Sequence, residues 1–173
     1  MTPTALLSSL PQVRVRRITA AQTVPLRHAV LWPDKPVSYV LLPEDAKGHH
    51  FGAFGETDEE EPLAVISLFA EEIPSSREGE GTGAASPGNA PDLRPPAARF
   101  RKFACHPSYQ GRGIGSALLR RVVEVARTEL GCTVLWCDAR VDSAGWYERR
   151  GLKRFGETFY KGEVEYVRMQ IPV

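Results

Sequence analysis

"SYQGRGIGSALL", Ser108–Leu119, sets glycines at alternate positions 111, 113 and 115 and then runs into small and branched apolar residues at helical spacing. Glycine at that density costs conformational entropy and starts a helix poorly. A ligand that must touch the main chain would justify it. Upstream, "RFRKFAC" (Arg99–Cys105) reads as a strand. Downstream, Ile114, Leu118, Val122, Val125 or Ala126, and Leu130 form one helical stripe that Gly131 closes. In a strand, glycine loop and helix arrangement, unpaired amides and the positive helix end can meet an anion.

Several readings compete for that loop. A P-loop requires Gly-Lys-Ser/Thr, which the chain lacks. A dinucleotide fingerprint could use Gly111, Gly113 and Ser116, with Asp138 ending the next strand. Yet "HPSYQ" separates strand from first glycine, and too little chain follows Asp138 to complete a doubly wound sheet. A turn serving only chain reversal is the plain structural alternative. The remaining reading is Q/R-x-x-G-x-G/A, as Gln110-Gly111-Arg112-Gly113-Ile114-Gly115. Here Gly113 and Gly115 remove side chains that would hold phosphates off, and Arg112 adds a charge.

With 173 residues, 42% hydrophobic and 25% charged, the chain has the composition and length of one globular domain, residues 1–173. A net charge of +1 argues against nucleic acid or an anionic membrane as the main partner. Cys105, Cys132 and Cys137 contain no CxxC pair, so neither a disulfide framework nor a zinc site is expected, and no metal is assigned. "MTPTALLSSLPQ" lacks a basic region before an apolar run, and no run reaches membrane-span length. A cytoplasmic, or also nuclear, protein is expected.

Elsewhere, "QVRVRRI" alternates as a first strand, and "TVPLRHAVLWP" reads as a helix with Thr23 as cap, Pro25 in the first turn and Pro33 as stop. "VSYVLL" and "HHFGAFGE" read as extended, with Gly52 and Gly55 marking bulges or close backbone approach. "PLAVISLFA" (Pro62–Ala70) is apolar on both faces, as a central strand is. "TDEEE" reads as a solvated loop. Pro74–Ala98 is rich in Gly, Pro and Ser and reads as a flexible insertion at about 74–98. After the strand "CTVLWCDA", a short helix with Ser143 as cap ends at Gly151. Two final strands meet near Lys161 and Gly162.

The stretch Arg99–Leu152, with "FACHPSYQGRGIG" upstream and "WCDARVDSAGWYERRGL" downstream, resembles the core of the GNAT N-acetyltransferase superfamily. The resemblance implies an α/β acyl-CoA N-acyltransferase fold, with a mixed, mostly antiparallel central sheet flanked by helices. It implies acetyl-CoA as cosubstrate, its pyrophosphate held by Gln110, Gly111, Arg112, Gly113, Ile114, Gly115 and Ser116. The pantetheine arm would pair with main-chain groups of Phe103, Ala104 and Cys105, and the Cys105 amide would polarise the thioester carbonyl. Tyr147, in the Trp146-Tyr147 pair, would be the general acid for a departing thiolate of intrinsic pKa about 8.5. A core aromatic is the plain alternative for Tyr147.

The general base is open among His50, Glu56, Glu71, Glu72, Glu157 and Glu163, with Glu71 and Glu72 favoured because they end the central strand. Many family members carry Asn where this chain has Arg140, which leaves open whether Arg140, Asp138 or Ser143 replaces that cofactor contact. A nucleophilic Cys105 with His106 as base is disfavoured, since adjacent strand residues point to opposite faces. Cys105 is read as a packing thiol. The acceptor would be a small-molecule amine or a lysine, and the chain a monomer or homodimer. Two other readings remain. One is a catalytically silent acyl-CoA-binding or interaction module of the same fold; the other is an NAD(P)-binding enzyme.

Overall fold

The computed structural model describes residues 13–57, 61–74 and 95–173. The amino-terminal lead, most of the "TDEEE" run and the insertion from 75 to 94 lie outside the described residues. Seven strands form: β1 (Arg14–Ile18), β2 (His49–Phe54), β3 (Ala64–Ala70), β4 (Ala97–Cys105), β5 (Val134–Arg140), β6 (Lys153–Lys161) and β7 (Val164–Pro172). Their hydrogen-bonded order is β1-β2-β3-β4-β5-β7-β6. Strands β4 and β5 run parallel, whereas β1–β2, β2–β3, β5–β7 and β6–β7 are antiparallel. Because β4 begins at Ala97, the last two residues read as insertion belong to a strand, where Ala97 and Ala98 are buried.

The contacts divide the chain into two compact units. One draws on residues up to Phe69 and on Phe100–Val123; the other comprises Ala70–Arg99 and Glu124–Val173. In the first unit, helix α1 (Ala20–Leu26) is capped by Thr19, not Thr23. The Thr19 hydroxyl accepts from Gln22 N–H at 3.3 Å, and the Gln22 side chain accepts from Thr19 N–H at 2.8 Å. This reciprocal box satisfies two donors at once, which a Thr23 start could not do. Thr23 is instead buried inside the helix, its hydroxyl donating to Ala20 C=O. Pro25 therefore falls in the second turn, and the backbone widens into a π-helical turn at Arg27–Leu31. "VSYVLL" is not extended either: Val37–Val40 form a 3₁₀ turn after Pro36.

Arg27 on the widened turn is fully buried and joins three segments. Its guanidinium donates to Asp45 at 2.8 and 2.9 Å, to Val40 C=O at 3.2 Å and to Ser67 Oγ at 2.8 Å. His50 lies 2.7 Å from Ser67 Oγ through Nδ1 and 2.8 Å from Asp45 C=O through Nε2. The Nε2–H tautomer closes this chain of donors: Arg27 gives to Ser67, Ser67 gives to His50, and His50 gives to the Asp45 carbonyl. His50 and Ser67 are register partners and face Arg27. Their neighbours Phe51 and Ile66 are also partners, and Arg121 of helix α2 (Ile114–Thr128) lies 5.8 Å over the Phe51 ring. Each face of β2–β3 is thus covered, as the unbroken burial of Ala64–Phe69 requires. Gly52 meets the expectation of close approach, since a Cβ there would lie 3.0 Å from Phe54 and Pro62 atoms.

In the second unit, β5 is buried on both faces at Leu135–Cys137 and on one face beyond it. Leu135, Cys137 and Ala139 are buried, and Cys137 and Ala139 pair with Met169 and Val167 of β7. Trp136 and Asp138 take the opposite face, opposite Gln170 and Arg168. Helix α3 (Ala144–Glu148) follows a 3₁₀ turn at Val141–Ser143. Ser143 occupies the cap position in a right-handed helical conformation and makes no side-chain capping bond, so its expected capping role is corrected. The last two strands meet at Gly162, whose φ of +63° suits the tight turn.

Candidate active site

The glycine loop has the local form that an anion needs. Gly111 and Gly113 adopt φ of +76° and +80°, a region that L-residues other than Asn and Asp avoid. A Cβ at either position would meet nothing within 4 Å, so the backbone conformation, not crowding, demands glycine. Gly113 C=O accepts from Ala117 N–H at 3.1 Å and so stands at the helix cap position. The N–H groups of Ile114 and Gly115 therefore fall in the first turn of α2, ahead of the helix's own carbonyl acceptors. Residues Gln110–Gly113 are exposed and Ile114 is buried, which anchors the loop from its helix side. Arg112 lies over the Tyr109 ring at 5.5 Å.

Gln110 contributes to the loop's shape. Its Nε2 donates to Cys105 C=O at 3.1 Å, tying the loop to the end of β4. Next along the strand, His106 N–H donates to Leu63 C=O at 2.8 Å. The Cys105 thiol lies 3.6 Å from His106 C=O, and burial raises its pKa. His106 Nδ1 accepts from Ser108 N–H at 3.1 Å, so that nitrogen is already engaged as a turn cap. The Cys105 thiol and the His106 ring thus have separate partners.

One feature of β4 escaped the sequence. Lys102 adopts φ of +52°, a left-handed residue in mid-strand. Its effect shows in the neighbours: Arg101 lies over Phe69 while Ala104 packs with Leu26 and Val65. Phe100 and Phe103 contact each other edge to face at 6.2 Å. Residues three apart share a face across Lys102, which is the phase shift of a bulge. Pairing of β4 with β5 covers only Ala97–Arg99 opposite Val134–Trp136, while β4 runs on to Cys105 and β5 to Arg140. Lysine gives no signal for a left-handed residue, so only the backbone reveals this device.

The second unit holds the remaining candidates. Tyr147 on α3 is half-buried, and burial, then the neighbouring Cys137 thiol, holds its pKa well above the usual value. Glu71 Oε1 accepts from Arg99 at 2.9 Å, and Glu71 C=O accepts from Trp136 Nε1–H at 2.9 Å. Glu72 is exposed. Asp138 is held by cations: Arg99 at 2.7 Å, Lys161 at 3.0 Å and Arg168 at 3.6 Å. Of the other base candidates, His50 is committed to the buried Arg27 hub, while Glu56, Glu157 and Glu163 are exposed.

The model of the Acetyltransferase (GNAT) family matches residues 15–152. The chain belongs to this family. It is 29% identical over 150 residues, 85% of this chain and 87% of the relative, to the Bacillus subtilis (strain 168) protein called uncharacterized N-acetyltransferase YitI. Among solved structures it resembles a Bacillus subtilis acetyltransferase in complex with CoA, with TM-score 0.60 and 15% identity, covering 94% of this chain and 99% of that one. A Pseudomonas aeruginosa acyl-CoA N-acyltransferase gives TM-score 0.59 and 17% identity over 92% and 98%. At such identities the structural likeness shows the fold, the mixed and mostly antiparallel GNAT sheet with its helices. Acetyl-CoA is the cosubstrate of the family. Among the described residues no helix is long and apolar enough to cross a membrane.

Proposed function

We propose that this chain transfers the acetyl group of acetyl-CoA to a primary amine by direct attack in a ternary complex, as a single N-acetyltransferase domain. The observation that carries the reading is the left-handed Gly111 and Gly113 pair opening α2, tied by Gln110 to the end of β4. Gln110, Gly111, Arg112, Gly113, Ile114, Gly115 and Ser116 would hold the pyrophosphate. Main-chain groups of Phe103, Ala104 and Cys105 would receive the pantetheine arm, with Ser143 as a further cofactor contact.

The amine nitrogen attacks the thioester carbon while the Cys105 amide stabilises the developing oxyanion, an effect worth about 3–4 kcal/mol where such donors have been removed. The C–S bond then breaks and the sulfur takes up a proton. Tyr147 is the donor in this proposal. Its raised pKa keeps the hydroxyl protonated until the C–S bond breaks; the proton then passes to the sulfur, and the tyrosinate recovers one from water. The amine proton leaves to Glu71 or Glu72, directly or through water.

The test is a thiol-release screen with acetyl-CoA against amines, amino acids, aminoglycosides, polyamines and lysine peptides, run beside Tyr147→Phe. For an acceptor found in this way, Tyr147→Phe should lower kcat about 10²-fold with the KM for acetyl-CoA nearly unchanged. Undiminished turnover would remove Tyr147 from the mechanism. No thiol release with any acceptor, despite acetyl-CoA binding, would point to the silent module.

A further inference from the structure

The face of the second unit formed by β5, β7 and β6 carries a charge cluster whose outer cations, Lys161 and Arg168, none of the proposed cofactor contacts uses. Asp138 accepts from Arg99 and Lys161 through Oδ2, and Arg99 also reaches Glu71. Arg168 completes the ring, its Nε 3.6 Å from Asp138 Oδ1. Three cations thus face two carboxylates, an excess of one positive charge in a site where the Asp138 side chain is only 9% exposed. The two outer cations are the accessible ones, with Lys161 44% and Arg168 34% exposed.

Neither outer cation is used up. Among the described residues Arg168 has no hydrogen-bond acceptor, and its Nε is buried without one. Lys161 spends one of its three donors on Asp138. Phe159 and Tyr166 stack at 6.0 Å and place an apolar surface beside both: Arg168 lies 5.2 Å over Phe159, and Lys161 lies 4.6 Å over Tyr166. A guanidinium fork with open donors, a second ammonium and a flat aromatic flank together fit a carboxylate, which takes two parallel bonds from arginine.

We infer that Lys161 and Arg168 form an acceptor subsite, so that the amine substrate carries a carboxylate bound between them. This rests on the N-acetyltransferase reading for the word acceptor, but not for the site. Arg99 and Asp138 are its positioning residues: Asp138 holds Lys161, and Arg99 neutralises Asp138 from behind. Removing Lys161 would bring the cluster to charge balance while leaving Asp138 two partners.

The test uses the full chain and a panel of amino acids, L-phenylalanine and L-methionine among them, each beside its methyl ester. The acid should exceed its ester in kcat/KM by roughly tenfold or more, the scale of one charge-assisted pair. Lys161→Gln and Arg168→Gln should each erase most of that preference through KM, Lys161→Arg should retain it, and ester turnover should change little. Thermal shifts in the presence of CoA read binding of the same compounds without turnover. Esters used as well as acids, or a preference surviving in Lys161→Gln/Arg168→Gln, would overturn the subsite. So would an effect of these variants on CoA but not on dephospho-CoA, which would assign the cluster to a cofactor phosphate. Absence of any thermal shift by the acids overturns it even if no amine is acetylated. Failure of acetyl-CoA itself to bind would instead refute the N-acetyltransferase reading.

Discussion

Replacing Arg27 by leucine is expected to destabilise the protein by about 3–5 kcal/mol, the scale for leaving one member of a buried ion pair alone. Arg27 is fully buried and Asp45 is 14% exposed, so solvent cannot take over from the lost guanidinium. Ser67 Oγ and Val40 C=O lose a donor as well. For a chain of this size the midpoint of thermal unfolding should fall by on the order of 10 °C. Arg27→Leu/Asp45→Leu should recover only part, because Asp45 also accepts from Leu42 N–H at 3.0 Å. The hub also predicts an acid limb. Burial pushes the Asp45 carboxyl up, but hydrogen bonds from Arg27 and Leu42 and the Arg27 charge outweigh it and hold its pKa below the usual value. A depressed carboxylate stabilises above its unfolded pKa of about 3.9 and loses that contribution as pH falls through the lower folded value. Chemical denaturation of Asp45→Asn should therefore show lower stability at neutral pH and a flatter profile below about pH 4. A change under about 1 kcal/mol in Arg27→Leu would mean that the pair behaves as a surface ion pair.

Gly113→Val is expected to weaken CoA binding by at least about tenfold, or about 1.4 kcal/mol. At φ of +80° a side chain costs on the order of 1–2 kcal/mol, and a β-branched one is the least tolerated. The variant either bears that strain or turns the peptide over, and turning it over swings the amides at the start of α2 away from the phosphates. Gly113→Asn should retain most of the affinity, since asparagine visits the left-handed region. A melting temperature near that of the parent with binding lost would separate the loop from the core. Binding within twofold of the parent by titration calorimetry would show that the loop conformation is not what holds the cofactor.

The parts legible in the sequence were those with a local cause. The glycine loop, the doubly apolar β3 and the helical stripe of α2 each follow from residues adjacent in the chain. Misreadings arose where two local causes competed. Thr19 and Thr23 both precede helical residues, and only the Gln22 partner decides for Thr19. In "VSYVLL" the apolar content suggested a strand, but Pro36 starts a turn, and Val37, Tyr39 and Leu41 remain half-exposed. The long-range devices left no trace. Arg27 finds Asp45 eighteen residues on. The Asp138 cluster gathers side chains from β4, β5, β6 and β7, so its charges read as scattered surface residues.

The most direct test of the central claim, that the loop opening α2 cradles the pyrophosphate of coenzyme A, is a calorimetric comparison of CoA, pantetheine and NAD(P). CoA should bind and pantetheine, which lacks the pyrophosphate, should lose about two orders of magnitude or more, given two or more charge-assisted bonds. Equal binding of CoA and pantetheine, or binding of NAD(P) alone, would contradict it.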